Sequence, residues 1–89
     1  MAIRTKKLNI YLRFDVGGFN GLGHARRSLE LAKTLKKKFK VILCISCETK
    51  DKLKTSGFSL FLKKKYENEK NYILRISKIK SNKILYIDN

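Results

Sequence analysis

The chain has 89 residues, 22 of them basic and 7 acidic, for a formal net charge of +15. That length supports one small domain, and the 43% of hydrophobic residues, gathered in periodic runs, describe a globular chain rather than a disordered one. No apolar run approaches the roughly 20 residues of a transmembrane helix. Residues 1–7 are basic but lead into a strand-like run without a small-residue cleavage site, so the expectation is a cytoplasmic protein with no signal peptide.

Most of the positive excess is lysine, spread over every segment, a look that AT-rich codon usage also produces. Beyond Arg4 and Arg13 the arginines are Arg26, Arg27 and Arg75. Readers of phosphates and bases favour the bidentate arginine fork, so no specific nucleic-acid partner is expected, while a weak contact with an anionic membrane surface fits the charge.

In chain order, residues 8–14 carry aromatic and β-branched residues in alternation and predict a first strand. A glycine-rich loop spans 15–22. From about 23 to 38 the pattern turns helical, with Ala25, Leu29, Ala32 and Leu35 at i, i+4, i+7 and i+10 and with Ser28 and Leu31 widening the stripe. Lys36, Lys37 and Lys38 crowd its last turn, where positive charge suits the helix dipole. Residues 41–47 predict a buried second strand. Cys44 and Cys47 on it form a C-x-x-C pair, but residues three apart on a strand face opposite ways, so two core thiols are expected there rather than a metal or redox pair. Residues 49–56 predict a short helix with Thr49 as N-cap and Gly57 as its stop. A third strand follows at 58–62. Asn68 is placed to cap a helix reaching about residue 80, with Tyr72, Ile73, Ile76 and Ile79 as its stripe, and a fourth strand runs from 83 to 88.

The order β-α-β-α-β-α-β implies a parallel sheet with helices on its faces. The expected fold is a three-layer Rossmann-like α/β sheet with strand order 3-2-1-4. Strands one and four then flank the topological switch point, where ligands bind at the carboxyl ends of strands. Asp15 ends strand one, Asp88 ends strand four, and the glycine loop with His24 hangs over the same edge. Four strands ending on an apolar one leave an unprotected edge, so the chain reads as one partial domain, the front part of something longer or one piece of a split protein.

The segment Gly21-Leu22-Gly23-His24-Ala25-Arg26-Arg27 holds the chain's only histidine at a helix start. Free N–H groups and the positive end of the dipole suit an anion there. As a dinucleotide fingerprint the segment fails, because Arg26 stands where the third glycine belongs and the glycines start seven residues after the strand. Glu48, at the end of strand two, mimics the ribose-binding acid of such folds, but without the fingerprint it does not make an NAD site. No Gly-Lys-Ser/Thr follows, so it is not a Walker loop. No cofactor and no metal site are expected. His24 is the candidate catalytic residue, with Asp15, Gly21, Leu22, Gly23 and Arg27 as candidate substrate contacts. Arg27 lies one helical turn after His24 and is placed to touch substrate or to pair with Asp15. Asp15 is placed to orient His24, to bind a sugar hydroxyl or to cap the turn.

The run Leu12-Arg13-Phe14-Asp15, followed by Gly21-Leu22-Gly23-His24-Ala25-Arg26-Arg27-Ser28-Leu29-Glu30-Leu31-Ala32, resembles the N-terminus of the PseG/SpsG family. These are nucleotide-sugar hydrolases of pseudaminic acid biosynthesis and their spore-coat polysaccharide relatives, similar to GT-B glycosyltransferases of the MurG type. The shared pattern is R-x-D, a short loop, G-x-G-H-x-x-R and a Leu-x-Leu-Ala helix. The resemblance implies a partial N-terminal domain of a GT-B-type fold and release of UDP from a diacetamido-trideoxy sugar. It further implies His24 as the base that activates water, with residues 21–23 lining the sugar and diphosphate pocket. The departures are an apolar loop at 16–20 where serines are common, Ser28 for a frequent cysteine, and Asn89 before the tyrosine that follows the acid of strand four. The family's nucleotide-binding domain has no counterpart in these residues. Half a cleft, inactive alone and completed by a second chain or segment, is therefore the expectation for a UDP-sugar substrate. The alternatives are the acceptor domain of a GT-B glycosyltransferase, in which His24 deprotonates an acceptor hydroxyl, and a basic nucleic-acid-binding module.

Overall fold

The computed structural model describes residues 8–17 and 21–87; Asp88 and positions 18–20 of the glycine loop lie outside the described residues. The elements are β1 (Asn9–Arg13), α1 (Gly21–Lys36), β2 (Lys40–Cys44), α2 (Cys47–Lys52), β3 (Ser59–Leu60), α3 (Glu69–Ser77) and β4 (Lys83–Ile87). The four strands form one parallel sheet in the order β3-β2-β1-β4. The fold is Rossmann-like α/β, as the alternation of patterns implies.

Strand alternation sorts the core into two layers. Ile10 and Leu12 of β1 with Phe14 just beyond it, and Val41 and Leu43 of β2 with Ile45 just beyond it, point to one face, where they meet Ala25, Leu29 and Ala32 of α1. Tyr11, Ile42 and Cys44 point to the other, against Tyr72 and Ile76 of α3. β1 is central and covered on both faces, so its apolar residues serve both layers rather than one. Burying a Leu or Ile of this kind contributes about 1.5–3 kcal/mol. β4 is covered less: Leu85 packs beneath α3, while Ile84 and Tyr86, in register with Ile10 and Leu12, stay 49% and 46% exposed.

Several boundaries depart from the sequence reading: α1 starts at Gly21 inside the expected glycine loop, β3 is only Ser59–Leu60, and α3 ends at Ser77. α2 begins at Cys47, capped by Ser46, whose hydroxyl accepts from the N–H of Thr49 at 3.2 Å. Thr49 is therefore a buried residue of the first turn instead of the cap. The helix ends at Lys52, and Gly57 (φ 88°) serves the turn before β3 rather than the helix stop. Because β2 ends at Cys44, the two cysteines separate: Cys44 is buried on the strand and Cys47 is exposed on α2, and both are free thiols. The expectation of two core thiols is corrected for Cys47, since helix initiation at Ser46 turns the chain outward. α3 is capped by Asn68, which accepts from Asn71 N–H at 2.8 Å, as its sequence suggests. Among the described residues no helix is long and apolar enough to cross a membrane.

Candidate functional site

A cavity of about 670 Å³ opens at the carboxyl ends of β1 and β4, the switch point of the sheet. Its volume falls in the range of small-molecule sites. Gly17, Gly21, His24 and Arg27 line it from the loop and α1, and Ile73 and Ile87 line it from α3 and β4. Asp15 also lines it, together with Arg13, Phe14, Val16 and Glu69. The structure thus brings together Asp15, Gly21, His24 and Arg27 of the candidate residues. Leu22 and Gly23 do not line the cavity: both are exposed, and a Cβ added at Gly23 would meet open space. The reason is helical geometry, since α1 starts at Gly21 and positions 21, 24 and 27 share one face while 22 and 23 turn away.

Beside the cavity lies a network built on Arg13. Its guanidinium makes a bidentate pair with Glu69 (Nε to Oε2 2.9 Å, Nη2 to Oε1 2.8 Å) and an ion pair with Asp15 Oδ2 at 2.8 Å. Nη1 donates to the carbonyls of Phe14 (3.0 Å) and Cys44 (3.1 Å). The Tyr72 ring supports it, 5.0 Å from Cζ. One side chain therefore ties the carboxyl ends of β1 and β2 to the start of α3. Burial alone would lower the basicity of Arg13, but the hydrogen bonds and charges of Glu69 and Asp15 outweigh it and hold its pKa above the ordinary value.

Asp15 is fixed by the same network. Its Oδ1 accepts from Ser46 N–H at 2.8 Å and from the Thr49 hydroxyl. The Thr49 oxygen in turn accepts from Val16 N–H at 3.0 Å. Burial pushes the Asp15 carboxyl upward, and the bonds from Arg13, Thr49 and Ser46 more than reverse this, leaving it below the usual range. These bonds fit the turn-capping role among those anticipated for Asp15, which also lines the cavity, and its ion-pair partner is Arg13 rather than Arg27. Arg27 is exposed and makes no ion pair among the described residues.

Val16, held by Thr49, abuts the start of α1: a Cβ on Gly21 would lie 3.1 Å from its carbonyl carbon. A side chain at 21 would therefore crowd the Val16 backbone, where the loop lies against the helix. The helix start adds a positive dipole end to the wall that holds His24 and Arg27. The cavity thus sets the His24 imidazole and the Arg27 guanidinium on one wall and the apolar Ile73 and Ile87 on another. Among the described residues no group of three His, Cys, Asp or Glu side chains is arranged to hold a metal ion.

No family model, curated protein or solved structure matches the chain.

Sequence reading missed Arg13 and Glu69 as site residues. Arg13 and Asp15 are two apart at a strand end and so share a face, a spacing that already suggests the pair. Glu69 had no local signal, because its relation to Arg13 arises only when the crossover helix returns to the switch point.

Proposed function

We propose that the cavity is one wall of a nucleotide-sugar site and that the chain acts as the histidine-bearing part of a UDP-sugar hydrolase of the PseG kind. In this reading a UDP-linked diacetamido-trideoxy sugar lies in the cavity. Its diphosphate meets Arg27 and the start of α1, and its less polar sugar face rests on Ile73 and Ile87. His24 accepts a proton from water as the water oxygen bonds to the anomeric carbon. The bond from that carbon to the diphosphate oxygen breaks, and UDP leaves with the bonding electron pair. The step asks for a positioned base and for stabilisation of the departing diphosphate. Asp15 and Arg13 act by holding the loop, not by touching substrate.

The observation that supports the reading best is the position of His24 and Arg27 on one helix face, both lining the cavity at the switch point. Isothermal titration of the 89-residue chain with the UDP-sugar tests it. A charge-assisted bond contributes about 1.5–3 kcal/mol, so Arg27→Gln should weaken binding roughly tenfold or more, whereas His24→Gln should change affinity little. Equal affinity of Arg27→Gln and the parent chain would contradict the reading. In a protein that supplies the nucleotide-binding half, turnover in water without any acceptor is expected, and strict dependence on an acceptor sugar would favour a transferase instead.

A further inference from the structure

The parallel topology separates charge along the strand axis. The amino ends of β1, β2 and β4 lie level, with Asn9 in register with Lys40 and with Lys83. At this amino edge α1 delivers Lys37 and Lys38, the segment after α2 delivers Lys54, and the segment after α3 delivers Lys78 and Lys80. Lys37, Lys38, Lys40, Lys54, Lys78 and Lys80 are all exposed, and none forms an ion pair among the described residues. Two further lysines are used internally: Lys36 bonds the Gly57 carbonyl, and Lys83 bonds those of Ser77 and Ile79.

The described acids lie elsewhere. Asp15, Glu67 and Glu69 belong to the carboxyl edge, and Glu48 and Asp51 line a cavity there with Ser46. Glu30 sits within α1, paired with Lys33 at 2.9 Å. The amino edge is therefore cationic without an opposing acid among the described residues. The carboxyl edge, which holds the candidate site, is mixed.

The kind of partner follows from what accompanies the lysines. Among the described residues no arginine projects there: Arg75, in the last turn of α3, folds back on Glu67 at 2.5 Å. The strongly exposed tyrosines, Tyr66 and Tyr86, follow Lys65 and Leu85 near the carboxyl edge, so bases find no stacking platform among the lysines. The helices point their carboxyl ends at this edge, so it offers carbonyls and negative dipole ends instead of the N–H groups that grip individual phosphates. The positive charge rides on long, flexible stems beyond those carbonyls. Such a diffuse layer suits a smooth negative surface potential, which acts over about 8–10 Å at physiological salt.

We infer that the amino edge of the sheet is a docking face for an anionic phospholipid bilayer, which turns the cavity at the opposite edge away from the membrane. The inference does not depend on what the cavity binds.

Sedimentation with vesicles tests it, using phosphatidylcholine alone and phosphatidylcholine with about one-third phosphatidylglycerol at about 0.1 M salt. Two quadruple variants remove the same charge, each checked for fold by circular dichroism. One carries Lys37→Gln, Lys38→Gln, Lys78→Gln and Lys80→Gln; the other carries Lys50→Gln, Lys64→Gln, Lys65→Gln and Lys70→Gln. The parent chain should bind the anionic vesicles, ignore the neutral ones and be released by high salt. At about fivefold per lysine, the amino-edge variant should lose affinity by roughly 600-fold, and the second variant far less. Absence of binding to anionic vesicles would overturn the inference, as would equal losses in the two variants. Binding to a short DNA duplex under conditions where vesicles are ignored would overturn it in favour of a nucleic acid.

Discussion

At the scale of single residues, Arg13 carries the most. Its side chain is 8% exposed, yet it satisfies two carboxylates and two carbonyls at the point where three elements converge. Removing it leaves Asp15 and Glu69 without their cation and two strand-end carbonyls without a donor. Loss of one partner of a buried pair costs about 3–5 kcal/mol; because Glu69 is half exposed, Arg13→Leu should lower unfolding stability by about 2–3 kcal/mol in urea titration. A change below about 0.5 kcal/mol, the usual effect of a surface substitution, would show the network to be ornamental. A second network stands on Arg75, whose fork draws the Glu67 carboxyl down to about 2. With the folded pKa depressed, this contribution is complete above the unfolded value of about 4.3 and disappears as pH falls toward 2. The stability difference between the parent chain and Glu67→Gln should therefore be constant from pH 7 to 5 and shrink toward zero near pH 2 in thermal melts. A difference independent of pH over that range would show that charge on Glu67 does not carry it.

At the scale of elements, the glycines of the motif do different jobs. Gly21 is held against the Val16 backbone, which is pinned through Thr49 to α2. Gly23 faces open space in the first turn of α1. Gly21→Ala should cost about 1–3 kcal/mol through overpacking, and Gly23→Ala should be neutral or stabilising by up to about 1 kcal/mol through helix propensity. Thermal denaturation of the two variants checks the order, and a reversed order would contradict the described loop. The contrast also marks what sequence could and could not tell. The stripe Ala25, Leu29 and Ala32 on α1 and the Asn68 cap of α3 were legible, because period and capping chemistry are local signals. The start of α2 was not: Ser46 and Thr49 are both good caps, and the choice falls to Ser46 because Asp15, 31 residues away, occupies the Thr49 hydroxyl and the Ser46 N–H. In the same way the bond from Thr49 to Asp15 had no local signal, because the two lie 34 residues apart.

At the scale of the whole molecule, strand order and the position of the site were legible because alternating β and α patterns leave few parallel topologies, and the switch point of the chosen one coincides with the glycine loop. The opposite wall was not, because Glu69 and Ile73 reach the cavity only through the crossover of α3 from β3 to β4. Nor was the separation of charge, which is invisible in a chain with lysines in every segment and appears only when parallel strands send all helix ends to one edge. The central claim, that the edge holding His24 receives a nucleotide sugar, is tested most directly by ¹H–¹⁵N and histidine ¹H–¹³C spectra of the 89-residue chain during titration with the UDP-sugar. The account predicts saturable shifts at the Gly17 and Gly21 amides and the His24 ring, reproduced in part by UDP alone, with the amino-edge lysines silent. Shifts confined to the amino edge, or no shift at Gly17, Gly21 and His24 at saturating ligand, would contradict it.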